Sequence, residues 1–139
     1  MTYWLFKSEP DVWGWDHQVA KGDEGEEWHG VRNYQARNNM RAMKVGDQGF
    51  FYHSNEGLAV VGICEDIALS HPDSTTDDPR WDCVWIKAVK PLKRAITLDE
   101  CKVIPGLEKM VLVNNTRLSV QPVSPEEWAI LCGVGGVEP

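Results

Sequence analysis

No apolar run in this chain approaches the roughly 18–20 residues that a membrane-spanning helix requires. Met1-Thr2-Tyr3-Trp4 opens it without the basic and apolar regions of an export signal, so a cytoplasmic location is expected. Cysteine is sparse. Cys64, Cys83, Cys101 and Cys132 are scattered, and without a C-x-x-C pair a zinc ribbon or thioredoxin-like motif is excluded. They read as free thiols in a reducing compartment. His17, His29, His53 and His71 stand apart, with no pair at helical metal-binding spacing, so no metal is expected. G-x-G-x-x-G and P-loop motifs are missing too, so no nucleotide cofactor is expected. Positive charge is the other shortage: 14 Lys and Arg against 21 Asp and Glu give a net charge of −7. Broad, non-specific duplex binding normally leaves the opposite, a basic surface.

What is present suits one globular domain over residues 1–139. The hydrophobic fraction is 42%, and a chain of this length buries a core without staples. Seven tryptophans are many for it: Trp4, Trp13, Trp15, Trp28, Trp81, Trp85 and Trp128. Most belong in the core, with one or two left to line a cavity. Charge is uneven. Asp23-Glu24-Gly25-Glu26-Glu27 and the stretch from Asp73 to Asp78 are acidic, while basic residues gather between Arg32 and Lys44.

Residues 1–7 read as a strand, and Pro10 or Asp11 opens a helix toward Ala20 that Gly14 weakens. Residues 21–27 read as an exposed acidic loop. Residues 33–44 read as a helix with Ala36, Met40 and Met43 on a buried face and Tyr34, Arg37, Asn38 and Arg41 on the opposite one. Strands are expected at 48–54, 58–68 and 81–89, with a hairpin turn at Asn55-Glu56-Gly57, a polar loop at 71–79 and a stop at Pro91. Thr97 to Glu100 has the form of a capping box, 107–112 of a helical turn, and 117–123 is extended. Ser124-Pro125-Glu126-Glu127 starts a last helix, with Trp128, Leu131 and Cys132 buried and Gly133 as its end. The fold class is α+β with an antiparallel or mixed curved sheet.

Five segments in order span nearly the whole chain: residues 3–10 (YWLFKSEP), Trp28 with 30–39 (GVRNYQARNN), 44–47 (KVGD), 51–55 (FYHSN) and 117–123 (RLSVQPV). Together they resemble the EVE domain of the PUA-like superfamily. That resemblance implies a curved, barrel-like sheet of five to six strands flanked by helices, and kinship with YTH domains, which look like readers of methylated adenine in RNA. It implies recognition of a modified base, chiefly modified cytosine in DNA or a modified base in RNA, and no catalytic activity. Trp28 matches by order and spacing a tryptophan wall of the YTH pocket.

A bound base needs flat faces to stack on and polar groups for its edge. Trp28 is the preferred wall, with Trp81 or Tyr52 opposite. Ser8 and Glu9 lie just past a strand end, where Glu9 suits an exocyclic amine or a helix dipole. Asn33 and Asn38 suit a base edge, Asn33 equally a helix cap, and Tyr34 lies on the same helix. His53, Ser54 and Ser119 complete the pocket set, and Lys7, Arg32, Arg37, Arg41 and Arg117 suit phosphate. The expected partner is nucleic acid bearing a modified base, bound by a monomer. Two rivals stand beside this reading: a small-molecule or nucleotide-metabolite pocket, and a hydrolase built on Ser8, His53 and Asp47. Against the second, the chain has no G-x-S-x-G elbow.

Overall fold

The computed structural model describes residues 2–115 and 117–139, so Met1, the first residue of the expected opening strand, lies outside the described residues. The elements are β1 (Tyr3–Ser8), α1 (Pro10–Trp13), α2 (Trp15–Ala20), β2 (Glu26–Glu27), α3 (Tyr34–Ala42), β3 (Gln48–His53), β4 (Ala59–Pro72), β5 (Asp82–Thr97), α4 (Leu98–Val103), α5 (Val111–Asn114), β6 (Val120–Val123) and α6 (Pro125–Gly135). The strands form one open, mixed sheet in the order β2-β5-β4-β3-β1-β6. β1 runs parallel to β3, and every other pairing is antiparallel.

Strand alternation divides the core in two. Leu5, Phe50 and Tyr52 join Trp128, Leu131 and Cys132 of α6 in one apolar cluster. Trp4, Phe6 and Phe51 join Ala36, Met40 and Met43 of the α3 region, with Trp28, in the other. Neighbours along a strand point to opposite faces, so adjacent positions feed opposite clusters. The buried face expected for α3 is the observed one, and Trp4 and Trp128 are core residues, 5% and 1% exposed.

Several boundaries differ from the sequence reading. Gly14 separates α1 from α2, with its N–H bonded to His17 Nδ1 at 2.8 Å, so the expected single helix is two short ones. β4 extends to Pro72, into the expected polar loop, and β5 continues through Pro91 to Thr97. Pro91 is tolerated because it pairs with Gly62 beside a register shift, where a missing N–H breaks no regular ladder. Gly62 has its own reason: a Cβ there would lie 2.5 Å from the Trp15 indole, which packs directly on the strand. α6 runs through Gly133 to Gly135 and ends on a left-handed Gly136.

Candidate functional site: an indole-lined cavity

The end of β1, the one-turn α1 and the segment following β2 enclose a cavity of about 440 Å³. β1 delivers Lys7, Ser8 and, just beyond it, Glu9. Pro10 starts α1 and its single turn brings Val12 and Trp13 back over the strand end. Glu26, Glu27, Trp28, His29, Gly30, Val31 and Arg32 form a second wall, and Ser119 a third. Ser119 is tied in by its carbonyl, which accepts the Lys7 N–H at 2.9 Å.

Trp28 is 8% exposed. Its ring meets Phe6 edge-on at 5.5 Å and Phe51 at 5.7 Å, so two phenyl rings from neighbouring strands fix the indole. Trp13 is a second indole on the same cavity. It stacks on His17 at 5.4 Å, and its Nε1 donates to Gln18 Oε1 at 3.0 Å. The Ser8 hydroxyl donates to the Trp13 carbonyl, which leaves its oxygen as an acceptor.

Charge around the cavity is mixed. Glu27 is 9% exposed. Burial raises its carboxyl, but hydrogen bonds from Ser74 and His71 outweigh burial and hold it below the usual range. Burial lowers Lys7 from the ordinary lysine value. Asp73, 2% exposed, stands behind the lip. Burial pushes its carboxyl up, yet bonds from Thr75, Gly30 N–H and Arg32 prevail and keep it well below the carboxylate range. Gly30 itself sits at φ +83°, a conformation glycine adopts without strain.

Beside the lip runs an arginine–aromatic ridge. Tyr34 of α3 stacks on Trp81 at 5.1 Å. The guanidiniums of Arg32 and Arg80 lie over Trp81 at 5.4 and 5.8 Å, and Arg37 lies over Tyr34 at 4.8 Å. Carboxylates pair three arginines near this surface: Arg32 with Asp73, Arg41 with Asp82 and Arg80 with Asp78. Arg37 instead binds Asn38 Oδ1 and the Arg80 carbonyl, so Asn38 orients a guanidinium.

Of the residues singled out from sequence, Lys7, Ser8, Glu9, Trp28, Arg32 and Ser119 line this cavity. The others lie elsewhere. Tyr52 packs with Leu5 and Phe50 in the opposite cluster, because it neighbours Phe51 and strand alternation turns it away. Asn33 caps α3, its Oδ1 accepting the Ala36 N–H at 2.9 Å. Tyr34, Asn38, Trp81 and Arg37 form the ridge, and Arg41 pairs with Asp82. Arg117 is exposed, with its backbone N–H on Asn115 Oδ1. Ser54 donates its N–H to the Ser8 carbonyl. His53 Nε2 accepts the Trp15 N–H at 3.1 Å and faces a separate hollow with Pro10 and His17. The Asp47 carboxylate takes Trp4 Nε1 and Lys44 N–H. Ser8, His53 and Asp47 are therefore each bonded elsewhere and form no nucleophile relay. Among the aromatic and polar lining residues, Trp13, Glu26, Glu27 and His29 are the ones the sequence reading does not single out as site residues. The signals were Pro10 and Gly14 bracketing a single turn, and Gly25 with φ +73° releasing Glu26–Glu27 into a strand.

Comparison with known proteins gives the class. The EVE domain family model matches residues 2–134, and the chain belongs to this family. Mouse thymocyte nuclear protein 1 is 35% identical, over 99% of this chain and 75% of its own length. Protein Atu2648 from Agrobacterium tumefaciens superposes with a TM-score of 0.97 at 62% identity, covering 99% of this chain and 94% of that one. Human THYN1 protein, solved in complex with 5-methylcytosine-containing DNA, superposes with a TM-score of 0.90 at 33% identity, covering 100% of both chains. The YTH domain of Zygosaccharomyces rouxii MRB1 protein shares the fold, with a TM-score of 0.60 at 12% identity over 99% of this chain and 88% of that one.

Proposed function

We propose that the cavity holds a single modified nucleobase presented by a nucleic-acid strand, and that the domain binds this base without altering it. A modified cytosine in DNA is the first candidate and a modified base in RNA the second. One observation carries the reading: two indoles, Trp13 and Trp28, share a cavity of about 440 Å³ with acceptors on Ser8, Glu9, Glu26 and Glu27. That volume falls within the roughly 300–1,000 Å³ typical of small-ligand sites. The complex of the human relative with 5-methylcytosine DNA supports it from outside.

The chemistry follows from the lining. Stacking on an indole is worth about 1–3 kcal/mol per base. A carboxylate suits the exocyclic amine of cytosine, which donates where a thymine would present a carbonyl. Lys7, Arg32 and the Arg37 ridge suit the phosphates beside an extruded nucleotide, on a protein whose net charge of −7 discourages binding elsewhere. The dispersal of Ser8, His53 and Asp47 favours binding over catalysis.

Affinity measured with two oligonucleotides of one sequence, containing 5-methylcytosine or cytosine, tests the proposal. A buried methyl is worth about 0.8 kcal/mol, so the modified strand should bind at least about fourfold more tightly. Equal affinity counts against it. Tighter, salt-independent binding of the free nucleoside would favour a metabolite pocket instead.

A further inference from the structure

Behind the cavity wall, β2, the far end of β4 and the start of β5 bring Glu27, His71 and Cys83 together. Along the chain His71 lies 44 residues from Glu27 and 12 from Cys83. His71 Nε2 stands 3.1 Å from Glu27 Oε2 and 3.7 Å from Cys83 Sγ, and all three ligand atoms lie within 4.8 Å of one another. Among the described residues no other trio of His, Cys, Asp or Glu meets so closely.

Both ring nitrogens of His71 face oxygens: Nδ1 lies 3.1 Å from the carbonyl oxygen of Leu69, and Nε2 faces the Glu27 carboxylate. A backbone carbonyl on the outer nitrogen is also how metal-binding imidazoles are oriented. The spacing fits a metal. Bonds of about 2.0–2.1 Å to N and O and 2.3 Å to S, at tetrahedral angles, place N and O about 3.4 Å apart and N and S about 3.6 Å apart.

We propose that Glu27, His71 and Cys83 form a binding site for a thiophilic divalent cation of the zinc type. Three protein ligands leave a fourth position for water or the Ser74 hydroxyl, which already bonds Glu27. The His71 side chain, 31% exposed, provides the entry path. The Cys83 thiol gives up its proton to solvent as the metal–sulfur bond forms. Because Glu27 also lines the cavity, a bound cation would withdraw that carboxylate from any ligand there.

Titration of the reduced, metal-free protein with Co²⁺ tests this independently of nucleic acid. The expected result is one equivalent bound, a near-ultraviolet cobalt–thiolate band, the visible bands of a tetrahedral ion, and displacement by Zn²⁺. Cys83→Ser should abolish the thiolate band, and His71→Gln should weaken Co²⁺ binding by more than about tenfold. The His71 change, at a part-exposed side chain, keeps the test open should the buried Cys83 variant fail to fold. Absence of a thiolate band in the parent protein would overturn the site. So would a band unchanged in Cys83→Ser, or a Co²⁺ affinity unchanged in His71→Gln.

Discussion

Asp73 Oδ2 accepts two hydrogen bonds, from Arg32 Nη1 at 3.0 Å and from the Gly30 N–H at 2.8 Å. One carboxylate oxygen therefore fixes both the backbone and the charged side chain of the cavity lip. The segment after Trp28 has no helix or strand of its own to hold it until α3 begins, so this anchor substitutes for regular structure.

Asp73→Asn is expected to destabilise the fold by about 1–3 kcal/mol, because Gly30, Arg32 and Thr75 would keep only a weaker acceptor at this buried position. Folding depresses this carboxyl. Its contribution is thus full above the unfolded value of about 3.9 and is lost as pH falls through the lower folded value. In thermal melts from about pH 6 to about pH 2 the gap between mutant and parent should narrow toward the acid end. A constant gap across that range would contradict the role given to its charge.

Asp66 should behave with the opposite sign. It is 2% exposed, and its Oδ2 has no hydrogen-bond partner among the described residues, while Oδ1 accepts the Ala68 N–H. Burial raises the carboxyl to about 7. The folded state then holds a proton that the unfolded chain releases near pH 3.9, so stability falls as pH rises from there through about 7. Asp66→Asn, a neutral stand-in for the protonated acid, should gain about 1–3 kcal/mol relative to the parent at about pH 8, and much less at about pH 5. Equal effects at both pH values would show that its ionisation does not matter.

The two indoles should separate binding from stability. Trp13 is only part-buried, so Trp13→Ala is expected to weaken a modified oligonucleotide by about 1–3 kcal/mol with a modest change in Tm. Trp28 is set among Phe6 and Phe51, and Trp28→Ala should lose similar affinity and also about 3–5 kcal/mol of stability. Parallel binding and melting curves check both. Full affinity in either variant would remove that ring from the site.

Arg37 lies over Tyr34 without a carboxylate partner among the described residues, and it suits a phosphate. Arg37→Ala should lower the slope of log affinity against log salt by about 1 while leaving the free modified nucleoside unaffected. An unchanged slope would place the strand elsewhere.

Patterns local in sequence carried the architecture. The capping boxes at Thr97 and Ser124, the Ala36–Met40–Met43 stripe and the β1 segment all reappear in the structure. The site was legible where the strand end announced it, at Lys7, Ser8 and Glu9, and at Trp28 through family likeness. It was hidden where tertiary geometry decides. Tyr52 falls on the wrong face by one position of a two-residue period. Glu27 sits in an acidic run that reads as solvated until β2 pairs with β5. His71 meets Cys83 only because β4 outruns its apolar stretch.

The most direct test is an NMR search for intermolecular contacts from the C5 methyl protons of a bound 5-methylcytosine oligonucleotide. The account predicts cross-peaks to the indole protons of Trp13 and Trp28. Contacts confined to the Tyr34–Trp81 ridge, or no methyl contact in a saturated complex, would contradict it.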